Sequence, residues 1–221
     1  MKVLTRFYPH MRFPTYNDKA CKAVSSNGDP VRFSTIALAL KRIDTDEVPG
    51  EIAEVGVWRG DTSRFIRTCT NRELHLFDTF EGFPKDQLSE CEIMHAGDSK
   101  RFRDTSALRL RSSLPDAIIH PGTVPETLAD VSGTTFAFVL LDLDIYEPTA
   151  AALEFFYPRI SRGGYLMVHD YNSPESNYAM KRALDPFLQD KPEHLVEIPD
   201  LWGSVLLRKV TACQREIGTN Q

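Results

Sequence analysis

Between residues 51 and 170 the chain alternates short apolar runs with helical patterns, and this alternation constrains its fold more than any other feature. The runs EIAEVG (51–56), ELHLFD (73–78), DAIIH (116–120), FAFVLLD (136–142) and GYLMVHD (164–170) have the length of buried strands. Between them lie DTSRFIRTCT, RDTSALRLRSSL, PETLADV and EPTAAALEFFYPRI, which read as helices, and a further helix is expected over residues 176 to 188. Strands alternating with helices form a parallel sheet covered on both faces. Ahead of them VRFSTIALALKRI (31–43) reads as a helix with Asp29 as its N-cap and Pro30 in its first position. The last two runs, HLVEIP and SVLLRK, are separated only by DLWG. That link is too short for a parallel crossover, so the pair is expected to be an antiparallel hairpin. The expected fold class is α/β: a doubly wound, mostly parallel, seven-stranded sheet of Rossmann-like type, ending in an antiparallel hairpin.

A chain of 221 residues with 42% hydrophobic and 26% charged residues can bury a core without a disulfide or metal staple. One domain is expected over residues 31–209, preceded by an irregular arm or lid (1–30) and followed by a polar tail (210–221). Cys21, Cys69, Cys91 and Cys213 match neither a zinc knuckle nor a CxxC pair and read as reduced thiols. The opening MKVLTRFYPHMRF lacks the apolar core of a signal peptide, and no stretch approaches the roughly 20 apolar residues of a membrane span. A cytoplasmic location and no membrane partner are expected. The net charge of -5, without a Lys/Arg-rich run, disfavours nucleic acid as a partner.

Open α/β sheets bind ligands beyond the carboxyl ends of their strands. The first run ends in Glu54-Val55-Gly56 and continues Val57-Trp58-Arg59-Gly60. Gly56 and Gly60 allow a tight turn and close ligand approach to the main chain, or serve the turn alone. The spacing is not G-x-G-x-x-G and no Walker lysine follows, so a pyrophosphate ligand is not favoured. Asp78, at the end of the second run, is placed either to accept hydrogen bonds from ribose hydroxyls or to cap the turn DTFEGFP. Together these describe a nucleoside-bearing ligand held without a phosphate grip, and S-adenosylmethionine fits. Glu54 is positioned to face its amino group. The expected cofactor-binding set is Glu54, Gly56, Trp58, Gly60, Thr62, Ser63, Asp78 and Asp142. Arg59 either holds a carboxylate or forms a surface ion pair.

The fourth run ends in Asp142-Leu143-Asp144 and the fifth in His169-Asp170-Tyr171. Carboxylates at the ends of buried strands are costly unless paired or metal-bound. Asp142, His169 and Asp170 are therefore expected to converge on one divalent cation, the alternative being solvated groups that cap helices. His75 and His120 lie within apolar runs and read as satisfied core or edge histidines.

Four segments, PGEIAEVGVWRGDTSRFI, LHLFDTFEGFP, HPGTVPETL and LLDLDIYEPTAAALEFFYPRISRGGYLMVHDY, occur in an order that resembles the macrocin O-methyltransferase (TylF-type) family. The resemblance covers roughly residues 30 to 209. It implies a class I methyltransferase fold and S-adenosylmethionine-dependent methyl transfer to a hydroxyl of a small molecule, typically a sugar or diol of a natural product, with a divalent cation, usually magnesium. It further implies that Glu54 and Asp78 contact the cofactor, and that Asp142, with Asp144 as its neighbour, supplies a metal ligand and the catalytic base. Where the family has an acidic pair before tyrosine, this chain has His169 and Asp170. An imidazole donor suits manganese or another transition ion better than magnesium.

Two other readings stay open. A different nucleotide-using Rossmann-like enzyme, such as an NAD-dependent reductase, is opposed by the missing G-x-G-x-x-G and by the terminal hairpin. A cofactor-binding protein of the same fold without catalysis is kept open by His169. The acceptor pocket is expected in the N-terminal arm and in the loop 84–104. In the arm, Phe7, Tyr8, Phe13 and Tyr16 either form an aromatic lid or pack on the core. The acceptor itself is not legible, and a homo-oligomer remains open.

Overall fold

A computed structural model describes residues 28–95 and 102–210. The expectations for the arm over residues 1–27, with its aromatic lid, for Cys21 and Cys213, and for the tail beyond residue 210 lie outside the described residues.

Helix α1 (Pro30–Thr45) starts as expected: the Asp29 side chain accepts a hydrogen bond from Arg32 N at 3.1 Å, and Pro30 opens the first turn. Its buried residues Phe33, Ile36, Ala37, Leu40 and Ile43 follow the helical repeat and form one stripe. Then come β1 (Glu51–Val55), α2 (Asp61–Cys69), β2 (Leu74–Asp78), α3 (Glu90–His95), α4 (Ala107–Ser113), β3 (Ile118–Pro121), β4 (Phe136–Leu141), α5 (Tyr146–Phe156), β5 (Ile160–Val168), α6 (Ala179–Leu188), β6 (Val196–Ile198) and β7 (Ser204–Arg208). The sheet has seven strands in the order β3-β2-β1-β4-β5-β7-β6. The pairings from β3 through β5 are parallel, whereas β7 is antiparallel to both β5 and β6. The expected α/β class and terminal hairpin are therefore present, with β7 inserted between β5 and β6.

One core packs α1 against Ile52, Leu76, Phe138 and Leu140. The other packs α5 and α6 against Val55, Phe77, Val139 and Leu141 on the opposite face. Strand β4 is buried along its whole length, as expected for the centre of a doubly wound sheet. Full burial of each such side chain contributes about 1.5–3 kcal/mol.

Some boundaries differ from the sequence expectation. The helical pattern through EPTAAALEFFYPRI stops at Phe156, and Tyr157–Arg159 form a 3-10 turn. Pro158 supplies no backbone donor there, which ends the α-helix and lets β5 begin at Ile160 rather than Gly164. PETLADV forms a 3-10 helix over Glu126–Val131 rather than an α-helix. The helix expected from residue 176 begins at Ala179. Helix α3 falls within the segment 84–104, which the sequence pattern reads as a loop. Its Ser89-x-x-Glu92 capping box was readable: Glu92 Oε2 accepts from Ser89 N at 2.9 Å, and Glu92 N donates to Ser89 Oγ at 3.3 Å.

His75 and His120 are satisfied, as expected. His75 Nε2 pairs with Glu51 Oε2 at 2.5 Å, His75 Nδ1 with His120 Nε2 at 3.0 Å, and His120 Nδ1 with Asp130 Oδ2 at 3.0 Å. Cys69 and Cys91 are free thiols. Among the described residues no helix is long and apolar enough to cross a membrane.

Candidate functional site

Crossovers leave β1 and β4 toward opposite sides, which opens a crevice at their carboxyl ends. A cleft of about 470 Å³ occupies it. Of the expected cofactor contacts, Glu54, Gly56, Trp58, Thr62, Asp78 and Asp142 line this cleft, while Gly60 and Ser63 stand behind its wall.

Glu54 sits in a buried strand register, opposite Leu76 on β2 and Leu140 on β4, and is 1% exposed. The Ser63 hydroxyl, one turn into α2, donates to Glu54 Oε2 at 2.5 Å. Burial pushes the Glu54 carboxyl up to about 8, outweighing the Ser63 hydrogen bond, and the nearby charge of Asp142 adds to the rise. Such a group gains from a cationic partner, which would restore its charge.

Asp78 organises two loops. Its Oδ2 accepts from the backbone N–H groups of Val57 and Trp58, each at 2.8 Å, and its Oδ1 accepts from Phe80 N at 2.6 Å. Trp58 and Phe80 adopt left-handed backbone conformations, with φ of 48° and 55°, that these hydrogen bonds hold in place. The turn-capping role weighed for Asp78 is thus present, and its carboxylate still borders the cleft. Gly56 is required by a close approach: a Cβ there would lie 1.9 Å from the main-chain oxygen of Asp142. Arg59 forms an ion pair with Asp104 and lies over the Trp58 ring, 4.4 Å from its centroid. Trp58 Nε1 donates to the same carboxylate at 2.6 Å.

At the ends of β4 and β5 the second expected cluster assembles. His169 Nδ1 lies 3.1 Å from Asp142 Oδ1 and 3.1 Å from Asp170 Oδ1. Arg32, in the first turn of α1, reaches Asp142 Oδ2 through Nη1 at 3.3 Å. Asp144 and Asp170 both hold left-handed backbone conformations, with φ of 63° and 55°. Strain of this kind concentrates at functional sites. Burial and then the adjacent Asp170 carboxylate raise the Asp144 carboxyl well above the usual range, so Asp144 carries the proton of that pair. Burial opposes charge on Asp170 as well, but its contacts with Asp144 and His169 hold it below the usual range. Burial also disfavours charge on His169, yet the carboxylates of Asp142 and Asp170 outweigh it and lift the imidazole to about 11.

The cluster fits a metal ion. Neighbouring ligand atoms of an octahedral ion with bonds of about 2.1 Å are roughly 3.0 Å apart. The two 3.1 Å separations at His169 Nδ1 match that spacing, and the donor atoms of Asp142, His169 and Asp170 all lie within 4.8 Å of one another. One imidazole and two carboxylates are a donor set open to manganese and other transition ions as well as magnesium.

Sequence reasoning missed Arg32 and Asp200 and assigned Asp29 only a capping role. Asp29, His169 and Asp200 form a second group of donor atoms within 4.8 Å. Neither Arg32 nor Asp200 sits at the end of a parallel strand, so no local pattern singles them out. Glu92 was missed as well; its Oε1 accepts from Tyr146 N at 2.6 Å and pins α3 to the first turn of α5, two residues past Asp144.

Residues 14–192 match the family described as Macrocin-O-methyltransferase (TylF). The chain is 30% identical over 156 residues to the 8-demethyl-8-(2,3-dimethoxy-alpha-L-rhamnosyl)-tetracenomycin-C 4'-O-methyltransferase of Streptomyces olivaceus, covering 63% of this chain and 60% of that protein. It is likewise 30% identical over 160 residues to the demethyldecarbamoylnovobiocin O-methyltransferase of Streptomyces niveus, with the same shares covered. The chain thus spans about 60% of the length of these curated relatives. Among solved structures, the O-methyltransferase NovP is similar with a TM-score of 0.70 and 26% identity, covering 82% of this chain and 81% of that one. With the family match extending over residues 14–192, the chain belongs to the Macrocin-O-methyltransferase (TylF) family.

Proposed function

We propose that this chain is an S-adenosylmethionine-dependent O-methyltransferase that acts on a hydroxyl of a small molecule, a sugar or diol of a natural product, with a divalent cation held by Asp142, His169 and Asp170. The observation that carries the reading is that one cleft brings a buried, cation-seeking Glu54 together with the acidic cluster at the ends of β4 and β5. The substrate class is supported by relatives named for O-methylation of a rhamnosyl tetracenomycin and of demethyldecarbamoylnovobiocin.

In this reading Glu54 receives the methionine ammonium group, with Ser63 fixing its carboxylate. Asp78 shapes the loops after β1 and β2 and offers the remaining lone pair, on Oδ1, to a ribose hydroxyl. Gly56, Trp58 and Thr62 form the wall beside the nucleoside, and Gly60 starts α2 behind it. Asp142, His169 and Asp170 would hold a cation whose Lewis acidity would lower the pKa of the acceptor hydroxyl. Asp142, on the strand next to Glu54, takes the hydroxyl proton as general base. Arg32 balances charge on the carboxylate's other oxygen. The cleft then has to align the acceptor oxygen with the methyl group.

A second reading is favoured by one observation. His169 Nδ1 lies 3.1 Å from each of two carboxylates, and as an imidazolium it would compete with a metal for that place. A chain that kept this imidazolium would bind cofactor without catalysis. Formation of S-adenosylhomocysteine from S-adenosylmethionine with a rhamnosyl acceptor and manganese, followed by mass spectrometry, separates the two. Turnover that falls at least about 100-fold in Asp142→Asn, with cofactor affinity retained, supports the enzyme. Full activity in Asp142→Asn removes the metal-and-base mechanism.

A further inference from the structure

His169 presents two ring nitrogens to two different surroundings. Nδ1 faces Asp142 and Asp170 at 3.1 Å each. Nε2 is buried and has no hydrogen-bond partner among the described residues, in a residue that is 5% exposed. A buried polar atom without a partner is costly and marks a place where an interaction is completed under other conditions. A second such atom is close by. Asp200 Oδ1 accepts from Ser204 N at 2.5 Å, while Asp200 Oδ2 is buried and without a partner among the described residues. The donor atoms of His169 and Asp200 belong to one group spanning 4.8 Å, which also includes Asp29. Asp29 is committed elsewhere: its Oδ1 accepts from Arg32 N at 3.1 Å and its Oδ2 from Leu201 N at 3.2 Å.

The fold delivers Asp200 to this place by stitching the DLWG turn to the end of β5. Tyr171 N donates to Gly203 O at 2.8 Å and Asn172 N to Trp202 O at 3.1 Å, directly after Asp170. Gly203 has φ of 71°, and a Cβ there would meet the Asn172 side chain at 3.0 Å, so the tight apposition calls for glycine. Leu201 N on Asp29 closes the turn from the side of α1.

We propose that Asp200 is a positioning residue for His169, its carboxylate accepting the Nε2–H so that Nδ1 is left to face a divalent cation together with Asp142 and Asp170. The inference rests on the metal-assisted reading above. A neutral imidazole carries one N–H, and it ligates through the other nitrogen only if that proton is placed away from the metal. Metal-bound histidines almost always have the distal N–H held by a carboxylate or a carbonyl, which fixes both tautomer and ring orientation. A carboxylate at position 169 would have no such proton to place. The task of Asp200 is therefore tied to the imidazole, the one point at which this chain departs from the acidic pair its family resemblance leads one to expect.

The test is a calorimetric titration of manganese(II) chloride into the full chain as wild type, Asp200→Asn, His169→Asp and the double variant. Asp200→Asn is expected to weaken manganese binding about 10- to 100-fold in the His169 background. In the His169→Asp background the same change is expected to alter it by less than about 2-fold, as for sites that do not couple. Equal weakening in both backgrounds, no weakening beside His169, or no manganese binding by the wild type each overturns the proposal. S-adenosylhomocysteine affinity, measured on the same samples, is expected to be unchanged across the four proteins. Its absence in the wild type sinks the methyltransferase reading itself, a failure distinct from lost coupling. Should a variant lose its fold, nitrogen NMR of histidine-labelled wild type saturated with diamagnetic zinc replaces it. A proton on His169 Nε2 supports the proposal, and a proton on Nδ1 overturns it.

Discussion

Glu54 shows how one buried carboxyl links stability to binding. Its carboxyl is held at about 8, against 4.5 for the free group, so between those values the unfolded chain gives up the proton and the folded chain keeps it. Stability contributed at this position is therefore greatest below about pH 4.5 and falls as pH rises toward 8. Glu54→Gln removes that dependence, and at pH 8 the ligand-free protein should gain on the order of 1–3 kcal/mol in chemical denaturation. The same variant should bind S-adenosylhomocysteine roughly 10- to 100-fold more weakly, because a charge-assisted hydrogen bond is gone. If the cofactor's ammonium group docks on Glu54 as proposed, its binding should expel the Glu54 proton in the wild type. Affinity should rise from pH 6 to pH 8, and calorimetry in buffers of different ionisation heat should register proton release; a flat profile would detach Glu54 from the ligand. Asp78→Ala should cost on the order of 1.5–3 kcal/mol in cofactor binding. It should also lower the melting temperature, because Val57, Trp58 and Phe80 lose their shared acceptor. That Glu54, Asp78, Asp142, His169 and Asp170 would border one cleft was legible in the sequence because each lies at or next to a strand end. Arg32 and Asp200 were not, since a helix start and a hairpin turn meet the site only through the sheet order.

At the scale of elements, β1 and β4 set the width of the site. Asp142 N donates to Val55 O at 2.8 Å, and Gly56 leaves no room for a Cβ against Asp142 O. Gly56→Ala forces a strained φ of 91° and separates the two strand ends. It should destabilise the protein by about 2–4 kcal/mol and weaken cofactor binding in parallel. A variant with wild-type melting and affinity would mean that the two strand ends move apart without cost. The elements themselves were largely readable. Periodicity placed β1, β2, β4 and α1 within a residue or two, because each buries a continuous face. It failed where a local feature overrode the pattern. Pro158 cut α5 short, and a 3-10 turn replaced the helix expected over PETLADV. The Ser89–Glu92 capping box opened a helix in a segment read only as a loop.

For the whole molecule, the order of strands is what turns scattered residues into a site. The reversal between β1 and β4 opens the cleft, and the insertion of β7 beside β5 carries the 200–203 turn against His169. The hairpin was legible from the four-residue link, but the place of β7 was not, because an antiparallel strand fits either edge of a hairpin equally well by pattern. Two cores, one on each face of the sheet, hold this arrangement, so the cleft is carried by rigid elements rather than by loops alone. The central claim is that the Glu54–Asp78 edge receives the cofactor and the Asp142–His169–Asp170 cluster the cation. A crystal structure of the full chain with S-adenosylhomocysteine and manganese tests it most directly. The account predicts the ligand's amino group against Glu54, its ribose toward Asp78 and an anomalous manganese peak among Asp142, His169 and Asp170. Ligand density at another surface, or an empty Glu54–Asp78 edge at saturating ligand, would contradict it.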